Sequence, residues 1–210
     1  MAQKRIALFG GTFDPVHLGH TAVADAAAQH IGAQKVIFVP AKRSPLKQFS
    51  PVASDKHRLE MITLAISGNA KFQLSDCELK EPRPSYTLDT IGYFRERFGR
   101  DTSLYWLIGA DSIEELAGWY KITELIDECS LSVMYRAGFG RPDFSRFEAL
   151  WGRRRVEKLQ SNVIATPLVE ISSTEIRERL AAGGDVSEML HGPVAEYISR
   201  NGLYRSKADL

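Results

Sequence analysis

The sequence predicts an α/β fold in which a doubly wound, Rossmann-like parallel sheet is flanked by helices. Short apolar runs alternate with helical stretches along the chain, which is typical of parallel strands joined by crossover helices. Residues of unusual chemistry directly follow several of these runs, at the sheet edge where open parallel sheets bind ligands. The 210 residues are 44% hydrophobic, enough for a buried core, and contain no evident linker. We therefore expect residues 1–210 to form a single domain.

In the first half of the chain, apolar runs bounded by glycine or proline predict three strands, which are Arg5–Phe9, Lys35–Val39 and Phe72–Leu74. Helical spacing of apolar residues predicts three helices, which are Leu18–Ile31, Ser54–Ile66 and Tyr86–Phe98. The segment Ala41–Ala53 contains prolines and basic residues without periodicity, so we expect a mobile loop there.

The second half repeats this alternation. Its apolar runs predict three further strands, which are Leu104–Ile108, Leu131–Tyr135 and Val163–Ala165. Its helical spacing predicts three helices, which are Phe144–Leu159, Ser173–Ala182 and Val194–Arg200. The whole pattern thus predicts repeated βαβ units around one sheet.

The composition excludes several classes of protein. With 27 Lys and Arg against 26 Asp and Glu, the formal net charge is +1, whereas proteins that grip nucleic acid or anionic membranes usually carry a basic excess. No signal peptide or membrane-spanning run is evident. Cys77 and Cys129 are far apart in the sequence, which favours a reduced, cytoplasmic protein and excludes a thiolate zinc site. A homo-oligomer is compatible with the sequence, which does not specify one.

A first motif, Gly10–His20, reads GGTFDPVHLGH and connects the first strand to the first helix. Its glycine pair lets the backbone turn and approach a ligand closely, and N–H groups at a helix start bind anions. His17 and His20 are three positions apart, with Gly19 between them, and therefore share one helix face. Surface histidines are the competing interpretation, and zinc is disfavoured because no third ligand follows.

A second motif, Ile171–Arg177, reads ISSTEIR and lies before another predicted helix. Ser172 and Glu175 form a capping-box pattern that fixes the helix start. Ser173 and Thr174 then present hydroxyl and N–H groups to an anion, and Arg177 lies one turn further along the helix. The alternative is a well-capped helix that binds nothing.

The first motif resembles the signature of the HxGH nucleotidyltransferase superfamily, and ISSTEIR resembles the second signature of that superfamily. Two such motifs, about 160 residues apart, make chance agreement improbable. Within the superfamily, the sequence is similar to bacterial nicotinate-nucleotide adenylyltransferases. The resemblance implies the nucleotidyltransferase fold and the transfer of an adenylyl group from ATP to nicotinate mononucleotide, a step of NAD biosynthesis. Mg²⁺ would be carried by the ATP phosphates rather than by a protein metal site.

The resemblance also assigns roles to individual residues. It implies that His17, His20 and Arg177 are catalytic. It implies an ATP site made of Gly10, Gly11, Thr12, Phe13, Gly19, Lys47, Asp111, Ser172, Ser173 and Thr174. Asp111 belongs to Gly109-Ala110-Asp111, which matches the family's GAD. At Lys47 the sequence departs from the family, because Ser44-Pro45-Leu46-Lys47 lacks the histidine of the usual PPHK-like stretch.

The resemblance implies that three further residues bind nicotinate mononucleotide. The segment Ser85–Thr90, SYTLDT, resembles the family's SYTxDT, whose Tyr86 and Thr87 equivalents lie near the nicotinate. Trp119 matches a tryptophan that stacks on the pyridine ring. Helix capping and a buried structural tryptophan are the respective alternatives from the residues alone.

The implied reaction places few demands on acid–base chemistry. The phosphate of nicotinate mononucleotide is anionic at neutral pH and attacks the α-phosphorus of ATP directly, so we expect no covalent intermediate. Catalysis then depends on positioning and on neutralising the charge of the departing pyrophosphate. The alternatives are an adenylyltransferase for nicotinamide mononucleotide or phosphopantetheine, and a non-catalytic nucleotide sensor. SYTLDT and Trp119 favour the pyridine nucleotide, and the intact motifs argue against a sensor.

Overall fold

The computed structural model describes residues 3–43, 50–136, 138 and 140–205. Its six strands are β1 (Arg5–Gly11), β2 (Lys35–Pro40), β3 (Phe72–Leu74), β4 (Ser103–Gly109), β5 (Ser130–Arg136) and β6 (Val163–Thr166). They form one sheet in the order β3-β2-β1-β4-β5-β6, and every neighbouring pair is parallel. The strand order reverses between β1 and β4. The predicted doubly wound α/β fold is therefore confirmed.

Among the described residues, eight α-helices connect and flank the strands. They are α1 (Leu18–Ile31), α2 (Asp55–Ile66), α3 (Thr87–Phe98), α4 (Ile122–Glu128), α5 (Glu148–Trp151), α6 (Arg153–Ser161), α7 (Ser173–Ala181) and α8 (Gly192–Arg200). Short 3-10 turns occupy Ala110–Ile113, Leu116–Gly118 and Ser145–Phe147. Residues 44–49 of the predicted loop, including Lys47, lie outside the described part of the chain.

Two elements differ from the prediction. The expected single helix Phe144–Leu159 is wrong, because a 3-10 turn precedes α5 and Gly152, with φ +80°, separates α5 from α6. That φ lies in the left-handed region, which glycine adopts without steric cost and which ends an α-helix. Helix α4 was not predicted. It has only seven residues, too few to show a helical period.

The strands are buried on both faces of the sheet. Ile6, Ala7, Leu8 and Phe9 are consecutive and all buried, as expected for a parallel strand covered by helices on both sides. Ala7 and Phe9 belong to a core cluster with residues of α1, α2 and α8. Ile6 and Leu8 belong to a second cluster with residues of α3, α4 and α6. With both faces filled, the carboxyl ends of the strands are where a ligand can approach the sheet.

Among the described residues, no helix is long and apolar enough to cross a membrane. Cys77 and Cys129 are both free thiols. Cys129 is buried, and this burial raises the pKa of its thiol to about 12. A thiol held in its protonated form is a poor nucleophile, so Cys129 serves as a small core residue.

Candidate active site

A cleft of about 1310 Å³ lies at the carboxyl ends of β1, β4, β5 and β6. It is the place where the strand order reverses, as expected for a ligand site of an open α/β sheet. The cleft is lined by twelve of the site residues predicted from the sequence, which are Gly10, Gly11, Thr12, Phe13, His17, Gly19, His20, Asp111, Ser172, Ser173, Thr174 and Arg177. The fold thus brings both motifs and the GAD aspartate to one cavity.

The glycine pair at the end of β1 is required by its neighbours. A Cβ on Gly10 would lie 2.2 Å from the Trp106 ring, and one on Gly11 would lie 2.8 Å from the Phe13 ring. Phe13 itself has φ +50°, unusual for a residue with a side chain. Its buried ring is held 5.5 Å from the Phe9 ring and 5.6 Å from the Phe38 ring, measured between centroids. Aromatic packing therefore fixes this sharply turned backbone at the edge of the cleft.

His17 and His20 form a closely packed pair at the start of α1. Their ring centroids are 3.7 Å apart, and the backbone N–H of His17 donates to His20 Nδ1 at 3.2 Å. Since Nδ1 is the acceptor, a neutral His20 carries its proton on Nε2, which is then a hydrogen-bond donor.

His17 is only 6% exposed, and its buried Nδ1 has no hydrogen-bond partner in the described part of the chain. Burial lowers the pKa of His17 to about 4, so its ring is neutral at pH 7. A buried imidazole nitrogen without a partner is costly, and such groups concentrate at functional sites. A Cβ on Gly19 would lie 3.0 Å from His17 Nδ1, so a glycine at this position leaves room for the His17 ring.

The backbone at the start of α1 contributes less to anion binding than the sequence predicts. The N–H of Leu18 donates to the Met189 carbonyl at 3.1 Å, and the N–H of His20 donates to the His17 carbonyl at 3.0 Å. The expected cradle of exposed first-turn N–H groups is therefore wrong for these two groups, because each already donates a hydrogen bond to a carbonyl of the protein.

The second motif is hydrogen-bonded to the first. Ser172 Oγ accepts from the Glu175 N–H at 3.1 Å, which confirms the predicted start of α7. Ser173 Oγ donates to the Pro15 carbonyl at 2.9 Å and is not open to an anion, contrary to expectation. Arg177 Nη1 donates to the Asp14 carbonyl at 2.7 Å and Nη2 to Thr174 Oγ1 at 3.2 Å. The guanidinium is thereby held in the wall of the cleft.

Asp14, which sequence reasoning left without a role, is the centre of a buried network. It is 3% exposed and accepts hydrogen bonds from the Val52 N–H (2.6 Å), the Ala53 N–H (3.1 Å) and the Tyr204 hydroxyl (2.6 Å). The sequence places Asp14 inside the motif but gives no signal for these partners. They come from segments that lie far from it along the chain.

Arg58 supports the same loop from behind. It is fully buried and donates through Nη1 to the Thr12 carbonyl at 2.8 Å and through Nη2 to Asp55 Oδ1 at 2.7 Å. Lys42 also pairs with Asp55, at 2.6 Å, and these partners lower the pKa of the Asp55 carboxyl despite its partial burial. In the sequence, Arg58 is indistinguishable from the exposed basic residues of other helices.

The three residues assigned to nicotinate mononucleotide do not line the large cleft. Tyr86 lines a smaller cavity of about 240 Å³ next to Glu78 and Asp89, and its ring centroid lies 4.8 Å from that of Tyr120. Thr87 begins α3 and Trp119 is half-buried, and neither belongs to the lining of these two cavities. The indole Nε1 of Trp119 is buried without a partner.

The SYTLDT segment is nevertheless hydrogen-bonded to the residues that follow β2 and to Glu78. Ser85 Oγ accepts from the Lys42 N–H at 2.9 Å, and the Ser85 N–H donates to the Arg43 carbonyl at 3.0 Å. Thr90 Oγ1 donates to the buried Glu78 at 2.6 Å, and burial raises the pKa of that carboxyl. The loop after β2 is thus attached to SYTLDT at one end and, through Val52, to Asp14 at the other.

Within the described ranges, no group of three or more His, Cys, Asp or Glu side chains converges in a way that could hold a metal ion. Asp14 and Asp111 are the carboxylates among the residues that line the large cleft. The carboxylate oxygens of Asp14 accept hydrogen bonds from Val52, Ala53 and Tyr204, whereas Asp111 is exposed.

Comparisons with known proteins agree with this architecture. Residues 8–179 match the family described as cytidylyltransferase-like. The chain is 38% identical over 200 residues to a probable nicotinate-nucleotide adenylyltransferase of Rhodopirellula baltica, covering 95% of this chain and 93% of that protein. It is 38% identical over 208 residues to the protein of the same name from Moorella thermoacetica, covering 98% and 94%.

Among solved structures, the chain resembles the Plasmodium falciparum nicotinic acid mononucleotide adenylyltransferase complexed with NaAD. The TM-score is 0.75 at 22% identity, covering 96% of this chain and 97% of that one. A structure of the same Plasmodium falciparum enzyme complexed with APC gives a TM-score of 0.73 with the same coverage. At this identity, the likeness establishes the shared fold.

Proposed function

Because the chain belongs to the nicotinate-nucleotide adenylyltransferase family, within the cytidylyltransferase-like proteins, we propose that its large cleft is where ATP and nicotinate mononucleotide react. The products of this adenylyl transfer are nicotinate adenine dinucleotide and pyrophosphate, and the reaction is a step of NAD biosynthesis. One observation carries the assignment of the cleft: the HLGH and ISSTEIR motifs, far apart in sequence, line the same cavity.

The chemistry requires one bond to form and one to break. A phosphate oxygen of nicotinate mononucleotide forms a bond to the α-phosphorus of ATP, and the bond from that phosphorus to the oxygen bridging to the β-phosphorus breaks. The nucleophile is already an anion, so the protein need not remove a proton from it. The task of the site is to hold the two anions in line and to stabilise charge on the leaving pyrophosphate.

Donor groups around the cleft suit that task. His20 presents Nε2–H when neutral, and His17 is held beside it in the wall of the cleft. Arg177 brings a permanent positive charge to the same wall. We assign these three side chains to the phosphates of ATP. Backbone N–H groups of Gly11, Thr12 and Phe13 face the bridging phosphate in this proposal.

The remaining contacts to ATP follow from the lining of the cleft. We assign the β- and γ-phosphates to Ser172, Ser173 and Thr174 at the start of α7, where the helix dipole favours negative charge. Since Ser173 Oγ donates to Pro15, its contribution would come through its backbone. Asp111 is exposed at the carboxyl end of β4, a position suited to accepting from ribose hydroxyls. Lys47 is proposed to close over the phosphates.

Mg²⁺ fits this site as a companion of ATP rather than as a resident of the protein. The carboxylates that line the cleft do not converge into a cage, so phosphate oxygens and water would supply most of the ligands, as Mg²⁺ commonly prefers. When bound, the ion would neutralise part of the phosphate charge. The chain's own donors, His17, His20 and Arg177, orient those phosphates.

We place nicotinate mononucleotide between the large cleft and the segment of Tyr86 and Thr87, with its pyridine ring against Trp119. This placement is supported by the contact between the Tyr86 and Tyr120 rings, beside Trp119 in the sequence, and by the buried indole Nε1 of Trp119, which has no hydrogen-bond partner among the described residues. We also propose that the protein works in the cytoplasm, because its two cysteines are free thiols.

The decisive experiment supplies the purified protein with Mg-ATP and one acceptor at a time. The acceptors are nicotinate mononucleotide, nicotinamide mononucleotide and phosphopantetheine, and pyrophosphate release is followed. We expect release to be fastest with nicotinate mononucleotide. Release with another acceptor but not with nicotinate mononucleotide would overturn the substrate assignment. ATP binding without release for any acceptor would favour a nucleotide sensor.

A further inference from the structure

Tyr204, near the end of the described chain, contacts the loop Thr12–His17 between β1 and α1, which is assigned to ATP in the proposed function and is called the ATP loop below. Its hydroxyl donates to Asp14 Oδ1 at 2.6 Å across 190 positions of sequence, and the residue is only 9% exposed. Burial and the adjacent carboxylate raise the pKa of the Tyr204 hydroxyl, which therefore remains a donor at every physiological pH. A hydrogen bond from a neutral donor to a buried carboxylate is stronger than one between neutral groups.

The backbone of Tyr204 also indicates that this contact is specified. Its φ is +64°, in the left-handed region that side chains other than glycine seldom adopt. Such a conformation persists where surrounding interactions hold it in place. Here the hydroxyl is bound to Asp14 at one end and the ring is packed in the core cluster of α1, α2 and α8.

Asp14 connects Tyr204 to residues on both walls of the cleft through its other hydrogen bonds. Its carboxylate accepts the N–H groups of Val52 and Ala53, and Val52 lines the cleft. Its carbonyl accepts from Arg177 Nη1, the guanidinium assigned to the phosphates. A shift of Asp14 would therefore move Phe13 before it, Val52 opposite it and Arg177 beside it together.

We propose that Tyr204 is a positioning residue for adenylyl transfer, which acts through the Asp14 carboxylate to hold the Thr12–Asp14 backbone and the guanidinium of Arg177 in their reactive places. The proposal rests on the proposed function of the cleft. Tyr204 does not line the cleft, so its effect reaches ATP through Asp14 alone.

The test compares two tyrosine variants that each lose one hydroxyl. Tyr204→Phe removes the bond to Asp14. The matched control is Tyr197→Phe on α8, whose hydroxyl lies 2.9 Å from His57 Nδ1 and does not reach the loop. With nicotinate mononucleotide and Mg-ATP, we expect Tyr204→Phe to lower kcat about tenfold, with KM for ATP changed less than threefold, because a lost hydrogen bond to a charged group has roughly that effect. Tyr197→Phe should keep the wild-type kcat.

A double variant separates positioning from general loss of stability. If Tyr204 acts through Asp14, the Tyr204→Phe change should have no further effect on kcat in an Asp14→Ala background, where the acceptor of its hydroxyl is absent. Equal kcat in Tyr204→Phe and wild type, or independent effects of the two changes, would overturn the proposal. Should Tyr204→Phe not fold, Asp14→Ala alone must lower kcat at unchanged KM for ATP, and wild-type kcat in that variant would also overturn the proposal.

Hydrogen–deuterium exchange gives a readout that needs no substrate. Backbone amides of residues 10–16 and 50–53 should exchange faster in Tyr204→Phe than in Tyr197→Phe. Unchanged exchange in these segments would contradict the positioning role even if the wild type proved inactive. Absence of pyrophosphate release by the wild type would instead contradict the proposed function.

Discussion

The imidazole rings of His17 and His20 lie almost face to face, 31° from parallel, yet their nitrogens are in different situations. His20 accepts the His17 backbone N–H at Nδ1, whereas Nδ1 of His17 has no partner. The fold therefore assigns one tautomer to neutral His20 and leaves His17 buried and uncharged. The two rings need not play equal roles in phosphate binding.

Replacing His20 should affect the reaction more than ATP binding. Loss of a preorganised donor to charge in the transition state typically lowers kcat by about 10²–10³. We expect His20→Ala to show such a loss in pyrophosphate release while the Kd for ATP rises less than tenfold. His57→Ala, a change on α2 at the Tyr197 contact, is the control and should keep kcat near wild type. Small, equal effects on kcat and Kd would contradict the catalytic assignment of His20.

Stability of the free protein should depend on pH through His17. In the unfolded chain His17 has the ordinary histidine pKa of 6.5, whereas burial lowers its pKa to about 4 in the folded protein. The unfolded state thus holds more protons between these values, and the free energy of unfolding rises with pH across this window. The increase in the free energy of unfolding that His17 causes is complete above pH 6.5 and amounts to about 3 kcal/mol.

Urea unfolding at pH 4.5 and pH 7 measures this difference. His17→Asn should reduce the change in the free energy of unfolding between the two values, since asparagine does not titrate. An identical change in the variant and the wild type would show that other groups cause the pH dependence.

Gly10 should tolerate no side chain. The added methyl group of Gly10→Ala would fall on the buried Trp106 ring, which has little room to move in the core. We expect a loss of about 1–3 kcal/mol in the free energy of unfolding and a large loss of activity. Gly92→Ala, in α3 with open space around it, should instead stabilise the protein by up to about 1 kcal/mol. Denaturation curves of both variants check the contrast.

Arg58 should matter to stability although it touches no substrate. Arg58→Met removes the hydrogen bonds that the guanidinium donates to the Thr12 carbonyl and to Asp55, which should lower the free energy of unfolding by about 2 kcal/mol. Arg200→Met breaks only an exposed pair with Glu196 and should change it by less than about 0.5 kcal/mol. Equal stabilities of the two variants would show that the buried guanidinium has no net effect.

Trp119→Ala should act on one substrate only. Stacking on an aromatic ring is worth about 1–3 kcal/mol per base, so we expect KM for nicotinate mononucleotide to rise at least tenfold. KM for ATP should stay within threefold of wild type, because Trp119 does not line the cleft assigned to ATP. Steady-state kinetics with each substrate varied in turn provide the measurement. A parallel rise of both constants would argue for a structural role of Trp119.

The strands were predictable because a parallel strand covered on both faces is an apolar run, as in Ile6–Phe9. The break at Gly152 was not predicted, because a lone glycine inside a helical stretch does not by itself specify a stop. Short α4 carries too few residues for a periodic signal. Local pattern therefore determines the sheet better than it determines the helices after β4.

The site residues also fall into those that the sequence predicts and those that it does not. Residues that belong to a local motif, such as His17 and His20, are visible in sequence because their spacing is itself the signal. Residues that hold the motif, such as Arg58 and Tyr204, are not, because their partners Thr12 and Asp14 become neighbours only in the folded chain.

The hydrogen bonds that join the ATP loop to the C-terminal part of the chain have a consequence for synthesis. Ser173 reaches Pro15 across 158 positions, Arg177 reaches Asp14 across 163, and Tyr204 reaches Asp14 across 190. A chain grows from its N-terminus, and domains fold as they emerge from the ribosome. The loop is therefore translated well before the three side chains that bond to it. A nascent chain cannot form this set of contacts until residue 204 has emerged.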